Sequence, residues 1–212
     1  HKYAFITDRE EGLILVDINT FADGEPRNNQ LERALTWNPG GVLKGANHIT
    51  MGGYYAYIST PIGVLVVNLN EPLKPKLESI ISVKDARATA LQFRYLYVTT
   101  AEGVQVVDVT DVKNPHLLPT KIELADAQRI YLARTYAYVA AGKDGLVILD
   151  IEQADQPKVY QTFNADGELK DARDVIVATT NASLFAYVAD GVGGLKVLQL
   201  TSPEIQPKFY GF

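Results

Sequence analysis

The chain has 212 residues and not one cysteine. That single absence removes disulfides, thiolate nucleophiles, Cys-type zinc sites and covalently attached c-type haem. Only three histidines occur, His1, His48 and His116, so an all-histidine metal site would need distant segments to converge. There is one methionine and one tryptophan, and no apolar run approaches the ~18 residues of a membrane-spanning helix. Positive charge is in short supply too. Twenty Lys and Arg against 25 Asp and Glu leave a net charge of −5, which argues against charge-driven nucleic-acid binding. No G-x-S-x-G, H-E-x-x-H, Walker or dinucleotide fingerprint is present, and GVGG at Gly191–Gly194 reads as a hairpin.

What is present is repetition. GLILVD (Gly12–Asp17), GVLVVN (Gly63–Asn68), GVQVVD (Gly103–Asp108), GLVILD (Gly145–Asp150) and GLKVLQ (Gly194–Gln199) start 51, 40, 42 and 49 residues apart. An aromatic pair precedes each one: Tyr3/Phe5, Tyr55/Tyr57, Tyr95/Tyr97, Tyr136/Tyr138 and Phe185/Tyr187. A proline follows each one: Pro26, Pro75, Pro115, Pro157 and Pro207. Three markers moving together make this a repeat.

Each unit predicts strands. YAYIS and YAYVA alternate with period two, a short loop turns them into the glycine-led strand, and that third strand is apolar on both faces. The proline precedes an outer strand, and segments such as NHITMGG and AQRIYLA supply an innermost one. Four antiparallel strands per unit of about 40–45 residues predict an all-β fold, a β-propeller of four-stranded blades. The units are approximately 1–44, 45–84, 85–125, 126–170 and 171–212 of a single propeller. An insertion occupies 18–44, where NNQLERALTW suggests a helical turn with Leu31 and Leu35 on one face.

The glycine-led segments, each behind a YAYVA-like strand and ahead of an Asx/Pro turn, resemble the LVIVD repeat, a family of bacterial and archaeal cell-surface or exported proteins. The resemblance is strongest in residues 126–163 and weakest in the first unit. It implies a propeller and an extracytoplasmic location (periplasmic, secreted or cell-surface). It brings no catalytic residues with it.

The first unit lacks an innermost strand and the last ends on an outer one, KFYGF, for 19 strands in all. With a histidine rather than a methionine at position 1, we expect these residues to be part of a longer chain or a processed product. A complete five-bladed ring is the alternative.

In a propeller the innermost strands line a central channel. Their starts read Ala46-Asn47-His48, Ala86-Arg87-Ala88, Ala127-Gln128-Arg129 and Ala172-Arg173-Asp174. Asn47, His48, Arg87, Gln128, Arg129, Arg173 and Asp174 are therefore the candidate binding residues, making a locally basic mouth suited to a small anion or an acidic side chain. Against this stands a structural role, in which the charged pairs tie blades together. Alternation also sends neighbours such as Arg173 and Asp174 to opposite faces. His48 suits a general base or metal ligand, and equally a hydrogen-bonded structural histidine. The acidic hairpin loops (Asp8 to Glu11, Glu102, Asp144) and DINTFADG, with Asp17, Asn19 and Asp23, lack the glycine and distal glutamate of an EF-hand and read as turn chemistry. The repeated aromatics read as packing between blades rather than a sugar-stacking surface. Trp37, within the insertion, is a candidate partner contact.

We therefore expect a non-catalytic scaffold with a protein partner, no cofactor and no metal. One alternative is a hydrolase or lyase of a small anionic substrate, with His48 as base and Arg87 and Arg129 as clamps. Another is an accessory subunit of a surface or electron-transfer complex.

Overall fold

The computed structural model describes residues 2–19, 22, 24–28, 30–180 and 183–201. Among them every extended element is a strand of an antiparallel sheet, and the only helices are single 3-10 turns. The strands make five successive sheets, the blades of a β-propeller fold. Blade one holds β1 (Tyr3–Asp8), β2 (Gly12–Asp17) and β3 (Glu32–Trp37). Blade two holds β4 (His48–Gly52), β5 (Tyr55–Thr60), β6 (Gly63–Asn68) and β7 (Lys76–Ile81). Blade three holds β8 (Ala88–Gln92), β9 (Tyr95–Thr100), β10 (Gly103–Asp108) and β11 (His116–Glu123). Blade four holds β12 (Arg129–Ala133), β13 (Tyr136–Ala140), β14 (Leu146–Asp150) and β15 (Lys158–Phe163). Blade five holds β16 (Asp174–Thr179), β17 (Leu184–Ala189) and β18 (Leu195–Thr201). The expected outer strand KFYGF lies outside the described residues.

These strands fall into two compact units. One comprises residues up to Thr89 with Asp111–Pro115, and the other Ala90–Thr110 with the residues from His116 onward. In the first, Leu13, Leu15 and Leu43 pack on Ala56, Ile58, Leu65 and Val67, with Tyr3, Phe5, Leu35 and Trp37 at the margin. In the second, Tyr138, Leu146 and Ile148 of blade four meet Val175, Val177, Ala186 and Val188 of blade five. Each such side chain, moved from water to core, contributes about 1.5–3 kcal/mol.

The repeat's markers have local causes. Its glycine has a positive φ in all five copies, 86° at Gly12, 146° at Gly63, 131° at Gly103, 76° at Gly145 and 73° at Gly194. At Gly63, Gly103 and Gly145 an added Cβ would overlap the carbonyl oxygen of Ile81, Ile122 or Phe163 on the same blade's outer strand. The glycine thus permits both the hairpin and the close approach of the fourth strand. The closing Asp or Asn makes an Asx turn: Asp17, Asn68, Asp108 and Asp150 each accept, through Oδ1, the N–H two residues on, at 2.9 Å.

One expectation is corrected. The helical turn assigned to NNQLERALTW is instead β3, which pairs antiparallel with β2, Leu35 opposite Leu15 and Trp37 opposite Leu13. The Leu31/Leu35 spacing suggested helix, but the alternation of Leu35 and Trp37 against a waiting edge prevails. Residues 32–37 are therefore the outer strand of blade one, and the connection ahead of them carries a 3-10 turn at Pro26–Asn28.

Candidate functional site

The start of each innermost strand is shaped by a short polar clasp. Asp85 Oδ2 accepts from Arg87 Nε at 3.2 Å, Asp126 Oδ1 from Gln128 Nε2 at 2.9 Å, and Asp171 Oδ2 from Arg173 Nε at 2.8 Å. All three follow one sequence rule, Asp-Ala-Arg/Gln, with the alanine buried at 1% exposure or less. Asp85 and Asp126 take left-handed backbone, φ 56° and 64°, which aspartate tolerates better than most residues. In blade two Gly45, φ 81°, stands where the others have aspartate, so Asn47 has no carboxylate at the matching place.

Backbone bonds fix these turns to the hairpin of the preceding blade. Gly45 N–H donates to the Arg9 carbonyl at 2.6 Å, Asp85 N–H to Pro61 at 3.2 Å, and Asp126 N–H to Ala101 at 2.9 Å. In blade five Gly142 and Ala172 exchange both bonds. There a residue that sequence reasoning missed adds to the tie. Asp190, wholly buried, accepts from the N–H groups of Lys170 at 2.9 Å and Asp171 at 2.7 Å. Its signal was faint, since among the other hairpins only the first carries an aspartate at that position, Asp8, where the rest have Thr60, Thr100 and Ala141.

Of the residues singled out from sequence, Asn47, His48, Arg87 and Trp37 lie in the first unit, and Gln128, Arg129, Arg173 and Asp174 in the second. The alternative catalytic set His48, Arg87 and Arg129 is thus divided between them. His48 is half-buried on β4. Its Nδ1 accepts the N–H of Thr89 at 3.2 Å, which places the ring proton on Nε2. Thr89 Oγ1 donates to Thr50 Oγ1 at 2.8 Å, and Thr50 Oγ1 donates to the Thr89 carbonyl at 2.7 Å. The nitrogen a general base would use is therefore occupied by a backbone donor. The backbone carbonyl of Gln128 accepts the Thr99 hydroxyl at 2.8 Å. Arg173 and Asp174 are both exposed, and Asp174 Oδ1 accepts the next N–H, of Val175. Trp37 is half-buried against the first unit's core.

Glu10, Glu11, Glu102 and Asp144 sit in hairpin turns, and Asp23 of the DINTFADG run lies outside the described residues. Asp8 Oδ1 accepts from Glu11 and Glu10 N–H, both at 2.8 Å, and these bonds hold its carboxyl below the usual carboxylate range. Among the described residues no three His, Asp or Glu side chains converge as they would on a metal ion. Tyr57, Tyr97 and Tyr138 are core residues whose phenols are pushed up by burial. A cleft of about 320 Å³ opens in the second unit between Tyr136, Tyr160 and Phe163 of blade four and Leu198 and Leu200 of blade five. Tyr136 and Tyr160 form a tilted ring pair there, centroids 5.3 Å apart.

A further residue escaped the sequence reading. Phe93, in the turn between β8 and β9, is 91% exposed and has φ 54°. The same turn has Gly53 at φ 60° in blade two and Arg134 at φ 57° in blade four. A large apolar side chain held in water on left-handed backbone serves neither packing nor the turn. Its signal was the aromatic in a turn where glycine is the natural choice.

Solved structures with this fold come from several bacteria. A protein from Lactobacillus plantarum superposes with a TM-score of 0.64 at 9% identity, over 93% of this chain and 64% of its own. BamB from Moraxella catarrhalis gives 0.56 at 11% identity, over 95% of this chain and 56% of its own. The extracellular domain of a hybrid two-component system from B. thetaiotaomicron gives 0.55 at 14% identity, over 94% of this chain and 27% of that one. The chain thus spans less than two thirds of the length of each. No curated protein matches it by sequence. The LVIVD repeat family profile matches residues 1–21 and 125–158, the GLILVD and GLVILD segments with their preceding strands. Residues 1–21 and 125–158 are thus LVIVD repeats, and the chain has a β-propeller fold.

Proposed function

We propose that the chain is a non-catalytic scaffold of an exported or cell-surface protein, and that it binds a protein partner. The observation that carries this reading is Phe93. An exposed aromatic fixed on a rigid hairpin is the kind of anchor that dominates protein interfaces. The turn is braced from the side, since Gln92 Nε2 donates to the Arg134 carbonyl of the neighbouring turn at 3.0 Å. The extracytoplasmic location is supported by the repeat family and by the likeness to an extracellular domain.

Phe93→Gly separates binding from folding. Glycine relieves the left-handed strain, so the variant should unfold at an equal or higher urea concentration while losing at least tenfold in affinity for a protein cross-linked to the wild-type chain in its native envelope fraction. Equal binding by the two chains would overturn the reading.

The small-anion alternative has a narrower basis. Arg87 and Arg173 are exposed in part and already oriented by carboxylates, which positions them but also neutralises them. A rise in melting temperature with a panel of carboxylates and phosphates would support it.

A further inference from the structure

Blade four carries an aromatic where blades one and two do not. In each of these blades the outer strand bulges against the glycine-led strand and leaves one extra residue, Ala34 in blade one, Glu78 in blade two and Tyr160 in blade four. Glu78 accepts from Asn68 Nδ2 at 2.9 Å. Tyr160 instead reaches across β14 to Tyr136 of β13, with ring centroids 5.3 Å apart and planes at 57°. Among the described residues these are the only two aromatic rings in contact. Burial raises the Tyr136 phenol, and the neighbouring Tyr160 phenol adds to the rise.

The surroundings of this pair are poor in competing redox groups. The chain has no cysteine, and its one methionine and one tryptophan, Met51 and Trp37, both belong to the first compact unit. In the second unit tyrosine is therefore the side chain that yields an electron most readily. A tyrosyl radical formed there meets no thiol that would repair it, and at Tyr160 it lies against a second phenol. Tyr160 is 62% exposed, so an oxidant in solvent reaches its ring.

We propose that Tyr136 and Tyr160 are a site of oxidative cross-linking, at which a haem peroxidase with hydrogen peroxide joins the two rings as dityrosine. Each phenol gives up one electron and one proton. The two phenoxyl radicals couple between ring carbons ortho to their hydroxyls, and the hydrogen on each joined carbon moves to its phenol oxygen. One carbon–carbon bond forms, two hydrogen atoms leave, and the peroxide takes them up as two waters. The product ties β13 to the outer strand β15, a covalent staple in a chain that has no disulfide to offer. It is independent of Phe93 and of any partner bound there.

The test treats the whole chain, at low concentration, with hydrogen peroxide and a haem peroxidase, followed by trypsin. Cleavage after Arg134, Lys143, Lys158 and Lys170 places Tyr136 in residues 135–143 and Tyr160 in residues 159–170. The wild type should yield these two peptides joined, two hydrogens short of their summed mass, from a chain still at 23.3 kDa. Tyr136→Phe and Tyr160→Phe should each lose the joined peptide, whereas Tyr138→Phe, altered within the same peptide as Tyr136, should keep it. Circular dichroism should show wild-type sheet content in all three. The joined chain should melt at a higher temperature than the untreated one, because the link removes freedom from the unfolded state. Peptides that stay separate in the wild type would overturn the proposal, as would a joined peptide that survives in Tyr160→Phe or a link found only between chains. An unchanged melting temperature would overturn the staple.

Discussion

His48 accepts the backbone N–H of Thr89 through Nδ1, 41 residues along the chain and 3.2 Å away. The ring thereby joins β4 to the first residues of β8 and satisfies a donor on a threonine that is itself 2% exposed. A buried donor deprived of its acceptor costs about 1–3 kcal/mol. His48→Ala should lower unfolding stability by that amount in urea titration. If stability does not change, the bond is not structural, and the case for His48 as a chemical group reopens.

The repeat glycines make a graded prediction. Gly194, φ 73° and ψ −148°, has open space where a Cβ would sit. Gly194→Ala should therefore show only the backbone strain, about 1–3 kcal/mol. Gly103→Ala adds overlap with the Ile122 carbonyl and should lose more than about 4 kcal/mol. Equal losses in parallel denaturant melts would refute the close-approach account of the motif.

At low pH the informative residue is Asp108. The Thr110 hydroxyl, at 2.6 Å, and the Thr110 N–H hold its carboxyl below the ordinary range. The folded state therefore favours the charged form. That contribution is in place above the normal carboxylate pKa of ~4 and is lost as pH falls through the depressed folded value. Asp108→Asn should keep the turn, as Asn68 does in blade two, and flatten part of the acid limb of a stability profile. An acid limb identical to wild type would count against it.

At high pH the sign reverses and Tyr97 is the residue to follow. Burial raises its phenol, with the Asp155 charge assisting, and the hydroxyl donates to the Ala154 carbonyl at 2.8 Å. The fold favours the neutral phenol, so its contribution is complete below the unfolded value near ~10 and fades as pH climbs through the raised one. Tyr97→Phe should be about 1 kcal/mol less stable at pH 7 and should show a shallower alkaline decline. Melts between pH 7 and 12 would decide it.

The blades were legible in the sequence because their signals are short-range. The glycine, the aromatic pair and the closing Asp each act within one hairpin or turn, so their spacing alone announced the strands. The role of Arg87 and Arg173 was harder to read, although their partners Asp85 and Asp171 stand two residues earlier. Adjacent charges and neighbouring blades were the more obvious partners, and at Asp85 the i, i+2 bond goes with a left-handed turn that only the backbone reveals. β3 was obscured for a different reason. Leu31 and Leu35 carry a helical spacing, while the edge of β2 that recruits Leu35 and Trp37 lies 20 residues away. Phe93 was hidden by its surroundings, one aromatic among many.

The clasps, the Asx turns and the glycine under its own outer strand all draw both partners from a single unit of about 40 residues. Such a unit can be copied or deleted in a gene with these three local contacts intact, while bonds between blades, such as His48 to Thr89, must be re-made. Blade number is then free to drift between descendants while each blade keeps its internal chemistry. The geometry of each blade is thus written within its own unit.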